Sequence, residues 1–368
     1  MPYRPKDIYR GRRKFHVPLT IFLFVLAGLF IGAVVMFYAL QQYIVYDQSG
    51  VTLQLPFMQT EPPVPADEAA PTPAFEPIAV QVIYEEPDYS DLDLDRWEDL
   101  SATRARFVPF SDAVSDTKLA AALSNAEDGE YSGVVLQLKD RSGRLAWASA
   151  CELAAAYGTA GTMDYTETVA ALHEKGMTAA AQISCCADEL MATRNWPATL
   201  QISAGNPYRD SDGTYWLDPY NRSIRSYLVD LTQELIAMGF DEIILADLYH
   251  PISESAFMYS VTLQAGASPV TAVCQMGRRI SEEAQGSGTA VSALINTDSM
   301  RNGRYMETGQ DLSVFWKLFA RVYCPTDYWT AAEDMELATA SMTEGSADIR
   351  FVPVSEMIPE DMASYEVR

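Results

Sequence analysis

From about Thr103 onward, short apolar runs alternate with stretches of helical periodicity, and this alternation constrains the fold more than any other feature. Strands are predicted over 106–110, 133–138, 177–183, 242–246, 289–295, 319–323 and 348–354. Helices are predicted over 119–126, 165–175, 224–238 and 270–284, with Asn221 as an N-cap and Gly176 and Gly239 as C-terminal stops. Repeated strand–helix–strand units imply a parallel sheet. The length from Thr103 to Arg368 suits an α/β protein of the (β/α)8 TIM-like barrel type, which usually takes about 250 residues. Seven strands are legible. The eighth unit is expected to be irregular or incomplete, or its strand to come from the segment before the domain. A doubly wound open sheet is the alternative. No G-x-G-x-x-G follows a strand, so its dinucleotide-binding form lacks support.

The chain ahead of that domain is of another kind. Residues 1–16 carry six bases against one acid, so this tail is +5 and the remainder of the chain is −29. No charged residue occurs between Val17 and Tyr46, and the stretch Leu19 to Leu40 is apolar apart from Thr20 and Tyr38. About 20 such residues in a helix span a bilayer, so 17–46 reads as a transmembrane anchor. A signal peptide would have a shorter apolar region and a small-residue cleavage site. The basic flank places the N-terminus in the cytoplasm and the rest of the chain outside. Residues 47–102, rich in proline and later in acids, read as an extended extracytoplasmic stalk, within which 79–84 forms either more stalk or a short docking strand. The expected layout is therefore tail, anchor, stalk and, over 103–368, a barrel.

Composition removes several functions. A net charge of −24 repels phosphate backbones, so no nucleic-acid partner is expected. Three histidines leave little for a His-rich metal site, and no metal or other cofactor is expected. The five cysteines have no metal spacing, and the vicinal pair Cys185–Cys186 reads as buried thiols.

In a barrel of this type, chemistry sits on the loops after the strand C-termini. Each predicted strand is followed by an acid: Asp112, Asp140, Asp188, Asp247, Asp298, Asp327 and Glu356. With 50 acids in 368 residues, one acid per loop is close to chance, and a solvated loop carboxylate is the plainer reading of each. Two of them facing one cleft would suit glycoside cleavage, in which one carboxyl protonates the leaving oxygen and another attacks or activates water. Trp147, Trp196, Tyr215, Trp216, Tyr328 and Trp329 fall near the same loops, where they either stack on sugar rings or close the barrel mouth as packing. Only His250 lies at a strand end, so a histidine-dependent nucleophile would rest on it alone.

Several strings also resemble one family in order. Gly133 to Arg144 (GVVLQLKDRSGR) is similar to A-V-V-I-D-V-K-D-D-S-G, Trp216 to Asn221 (WLDPYN) to W-V-D-P-Y-N, and Gly239 to Ile243 to G-F-D-E-I. Leu172 to Gly176 (LHEKG), the Gly309-Gln310-Asp311 triplet and Tyr323 to Tyr328 (YCPTDY) also have counterparts. The chain over most of 105–357 resembles the bacterial putative glycoside hydrolase domain family, an uncharacterised group of TIM-barrel proteins. The resemblance retains Lys139, Asp140, Asp218 and Pro251. It replaces an Asp by Gln137, an Arg by Gln182, an Asp by Ala246 and an Arg by Tyr249. An acid recurs one residue late, at Asp247. A one-residue shift turns a strand side chain to the other face, and a bulge can restore its aim.

Joined to the expected anchor, the resemblance implies a membrane-anchored, extracytoplasmic glycoside hydrolase acting on cell-envelope or environmental polysaccharide. Asp247 is then one catalytic carboxylate, and Asp140 its partner or a positioning group. Lys139, Trp147, Trp216, Asp218, Tyr249, His250, Tyr328 and Trp329 are the substrate contacts. The altered positions leave open a barrel that binds glycan or an envelope protein without turnover.

Overall fold

The computed structural model describes residues 100–368 except 130, 204–205, 260–267 and 343–344, together with residue 26 and two short strands before residue 54. The chain divides into two compact units, Met1–Val80 and Gln81–Arg368.

In the first unit, Ile44–Asp47 and Gly50–Leu53 pair as an antiparallel hairpin. This hairpin was not foreseen. It places 44–46 in a strand, where the expected anchor had its end. The apolar run 19–40 lies outside the described residues apart from Leu26, and the possible strand at 79–84 lies wholly outside them. Among the described residues no helix is long and apolar enough to cross a membrane.

The second unit is a closed barrel of eight parallel strands, each beside its neighbours in sequence. The strands are β1 (Arg104–Val108), β2 (Gly133–Lys139), β3 (Thr178–Ser184), β4 (Glu242–Ala246), β5 (Ala290–Leu294), β6 (Val322–Pro325), β7 (Phe351–Ser355) and β8 (Tyr365–Val367). Seven match the expected ones within a few residues. The eighth comes from the C-terminal side and not from the stalk. It is three residues long and pairs with β7 on one side and β1 on the other. Its register (Tyr365 opposite Arg104, Val367 opposite Arg106) closes the ring.

The helices that cover the strands are α1 (Asp116–Asp128), α2 (Thr166–Glu174), α3 (Arg222–Ala237), α4 (Pro269–Glu283), α5 (Leu312–Leu318), α6 (Ala331–Ser341) and α7 (Ala347–Arg350). Asn221 caps α3 as expected, its side chain accepting from the amides of Ser223 and Ile224. Gly239 follows α3 with φ +90°. The face of α3 carrying Ile224, Tyr227, Leu228, Leu231 and Leu235 is buried. The start of β7 falls later than predicted because 347–350 turn as a helix. Arg350 there is buried, and its guanidinium donates to the carbonyls of Trp316, Phe319 (2.8 Å) and Ala320 (3.0 Å).

Strand alternation produces two cores. Outward side chains such as Leu136, Leu138, Ile183, Ile243 and Leu245 pack under the helices. Inward ones, among them Ala105, Val135, Ala180, Ile244, Tyr323, Val352 and Val354, fill the barrel. Near the strand N-termini, Glu242 accepts from Ser292 (2.5 Å) and from Arg321 (2.8 Å), so these inward polar groups are paired. All five cysteines are buried free thiols, including the vicinal pair.

Candidate functional site

The C-terminal ends of β2, β3 and β4 build the candidate site. On β4, Ile244 faces the barrel interior and Leu245 faces the helices. Continued alternation past Ala246 would send Asp247 outward. Instead Asp247 takes a left-handed backbone, φ +51°. Among non-glycine residues, Asp tolerates that region better than most. The turn brings its carboxylate to Ser184, which continues the inward series of Ala180 and Gln182 on β3. Ser184 Oγ donates to Asp247 Oδ2 at 2.7 Å. Arg141 donates to the same carboxylate from the loop after β2, through Nη2 to Oδ1 (2.7 Å) and through Nε (3.1 and 3.2 Å). The aim of Asp247 is thus restored by a local backbone twist.

Burial works against the charge on Arg141, but Asp247 outweighs it and holds the guanidinium protonated. Burial, and then the charge of Asp247, pushes the Tyr249 phenol upward, so Tyr249 is neutral beside Arg141. Its ring lies 4.8 Å from that of Trp216. The Trp216 indole donates to Asp210 at 2.9 Å. Asp210 also accepts from the amides of Asp212 and Thr214, so it shapes the loop 210–216.

Asp140 lies next to Arg141 but turns back on its own loop. Its Oδ1 accepts from the Ser142 amide at 3.0 Å and from the Ser142 hydroxyl. Its Oδ2 has Arg144 at 3.8 Å. Gln137, inward on β2, accepts from the Phe110 amide at 3.1 Å. Across the mouth, Arg368 reaches Gln182 Oε1 at 3.4 Å while its guanidinium covers the Phe107 ring at 4.6 Å.

Several expected substrate contacts have structural roles instead. Lys139 is fully buried, paired with Asp188 at 2.8 Å and donating to the Ser184 carbonyl at 2.6 Å. It holds the β2 and β3 loops together and presents no surface to a substrate. Trp147 is also fully buried, with its indole donating to Glu234 on α3 at 2.7 Å. Trp216 is 1 % exposed and packs as described. Asp218 is fully buried and accepts from the Tyr220 amide at 2.9 Å. His250 sits among Pro251, Phe257 and Tyr259. Burial lowers its pKa to about 4, so it is a neutral packing group. Trp147 and Trp216 belong to the same buried cluster as the strand–helix core, and Lys139 is buried at the end of β2 itself.

Tyr249 remains beside the carboxylate. Trp329 is 83 % exposed, with Tyr328 packed edge-on against it at 4.8 Å. Sequence reasoning missed Arg141, Ser184, Asp210 and Arg368. The Lys-Asp-Arg-Ser string held a signal for the first, since a base beside a loop acid at a strand end is a natural partner for another loop acid. Among the described residues, no three His, Cys, Asp or Glu side chains are grouped to hold a metal ion.

No curated protein matches the chain in sequence. Among solved structures, the glycoside hydrolase domain of PgaB (BpsB) from Bordetella bronchiseptica is 11% identical, with a TM-score of 0.54 over 73% of this chain and 94% of that one. A hypothetical protein from Ruminiclostridium thermocellum is 20% identical, with a TM-score of 0.45 over 51% of this chain and 95% of that one. The Aspergillus fumigatus protein Ega3, solved in complex with galactosamine, is 9% identical, with a TM-score of 0.40 over 71% and 79%. The PgaB likeness concerns the fold. In sequence, residues 105–336 match the family described as "Putative glycosyl hydrolase domain", and since these are more than half of its residues, the chain belongs to that family.

Proposed function

We propose that this barrel is a glycoside hydrolase acting on a cell-envelope or environmental polysaccharide, held outside the cell by a membrane anchor at 19–40. The observation that carries the reading is the left-handed turn at Asp247, which spends backbone strain to place a carboxylate at the barrel mouth between Arg141 and Ser184. Functional strain of this kind is expected where a group must be aimed. Asp247, gripped by a guanidinium, is the carboxylate that attacks the sugar or activates water. Asp140, whose Oδ2 has Arg144 at 3.8 Å, supplies the proton to the leaving oxygen. Tyr249 and the exposed Trp329 offer a hydroxyl and a ring face to the sugar.

A second reading is favoured by the closure of Asp140 onto Ser142 and by the Gln residues at 137 and 182. In it, the mouth binds glycan and does not cleave it. The two readings separate in one experiment. Purified full-length protein is incubated with a glycan panel, and both reducing-sugar release and binding are followed. We expect release that Asp247→Asn lowers at least 100-fold, the rough scale of removing an essential acid–base group. Release unchanged in that variant would refute the site, and binding without release would favour the second reading.

A further inference from the structure

A second feature lies on the outer helix layer, in the groove between α3 and α4. Arg222 and Arg225 stand one turn apart at the start of α3, on the side of the helix that faces Gln275 of α4. Arg225 donates to Gln275 Oε1 at 3.5 Å. Among the described residues, neither arginine has a carboxylate within ion-pair distance, in a chain with 50 acids and 26 Lys and Arg. The acids of this groove are engaged elsewhere. Glu282 takes Arg278 at 2.8 Å, and Glu283 takes Arg279 at 3.3 Å. Asp230 accepts from the Cys151 thiol. The carboxylate felt by Arg225 is that of Asp218, which is fully buried and already holds the Tyr220 amide.

The arrangement is unfavourable as it stands. The first turn of α3 contains no acid, although the helix dipole favours negative charge there. Arg225 is half-buried, and burial, followed by repulsion from Arg222, opposes its charge. An anion that touched both guanidiniums would relieve all three costs. A carboxylate would neutralise one of the two. A phosphate monoester carries a charge of about −1.5 to −2 at neutral pH and has three acceptor oxygens suited to guanidinium forks. The α3 amides do not compete for it, because Asn221 already occupies those of Ser223 and Ile224.

We infer that Arg222 and Arg225 form a phosphate-binding site on the barrel's outer face, separate from the Asp247 mouth, for a phosphate carried by a sugar or by a lipid headgroup. Isothermal titration of the full chain tests this with inorganic phosphate, glucose 6-phosphate, sn-glycerol 1-phosphate and, as the neutral control, glucose. We expect the phosphates to bind and glucose not to. R222Q/R225Q should weaken binding at least tenfold with an unchanged melting temperature, and R279Q should leave binding intact. Tighter binding of one organic phosphate identifies the source. Failure of all three phosphates to bind, or equal binding by the R222Q/R225Q protein, overturns the site.

Discussion

Gly143 shows how closely single residues set the loop after β2. Its φ is +82°, and a Cβ there would lie 1.9 Å from Asp188 Oδ1. Asp188 is fully buried, pairs with Lys139 and caps the helix Glu189–Arg194 through the Met191 amide. A methyl group at position 143 therefore attacks backbone, ion pair and cap together. Gly143→Ala should cost about 3–5 kcal/mol, the scale of breaking a buried pair, measured by urea unfolding. His250 makes a different prediction. Neutral imidazole satisfies both of its contacts, with Nδ1 donating to Pro251 O at 2.8 Å and Nε2 accepting from Tyr259 at 3.1 Å. Its folded pKa of about 4 lies below the ordinary 6.5, so below pH 6.5 the unfolded chain binds the extra proton. Stability from this group is whole above about 6.5 and drains away as pH falls toward 4, by on the order of 3 kcal/mol. His250→Gln should flatten that part of the stability–pH curve, and an unchanged slope would show the proton to be taken up elsewhere.

Among the elements, β8 has the least sequence and the most consequence. Three residues supply the hydrogen bonds that join β7 to β1. Removing 362–368 leaves two open strand edges, which are liabilities for aggregation. The truncated protein should lose its cooperative thermal transition and elute as aggregate on size exclusion, whereas a monomeric product with a sharp transition would show that closure is dispensable. The other seven strands were legible because each contains a short apolar stretch bounded by helix or turn signals. β8, Tyr-Glu-Val, is too short for a periodicity, and Glu366 at its centre is a buried acid that reads as a loop residue. The site was legible only in part, for a related reason. Asp247 could be picked out by its place after β4, but its direction depends on one backbone angle and on partners 63 and 106 residues away. Lys139 and Trp147 are buried against partners 45 and 87 residues away, which no local pattern encodes.

For the molecule as a whole, the charge of −24 averages a basic tail and an acidic remainder. If the run at 19–40 anchors the chain, full-length protein should sediment with membranes and resist alkaline carbonate extraction, and deletion of 1–46 should release it. Release of the intact chain by carbonate would remove the anchor. The closed ring also has a consequence in time. The bond from the Thr103 amide to Ser364 Oγ joins residues 261 apart, and β1 cannot complete its pairing until that later segment exists. At a synthesis rate of about 5–20 residues per second, the nascent barrel waits on the order of 15–50 s with an unsealed edge. For that interval its fate rests on whatever shields nascent strands, and a ribosome stalled late in the message would release a product marked for disposal by its own open seam.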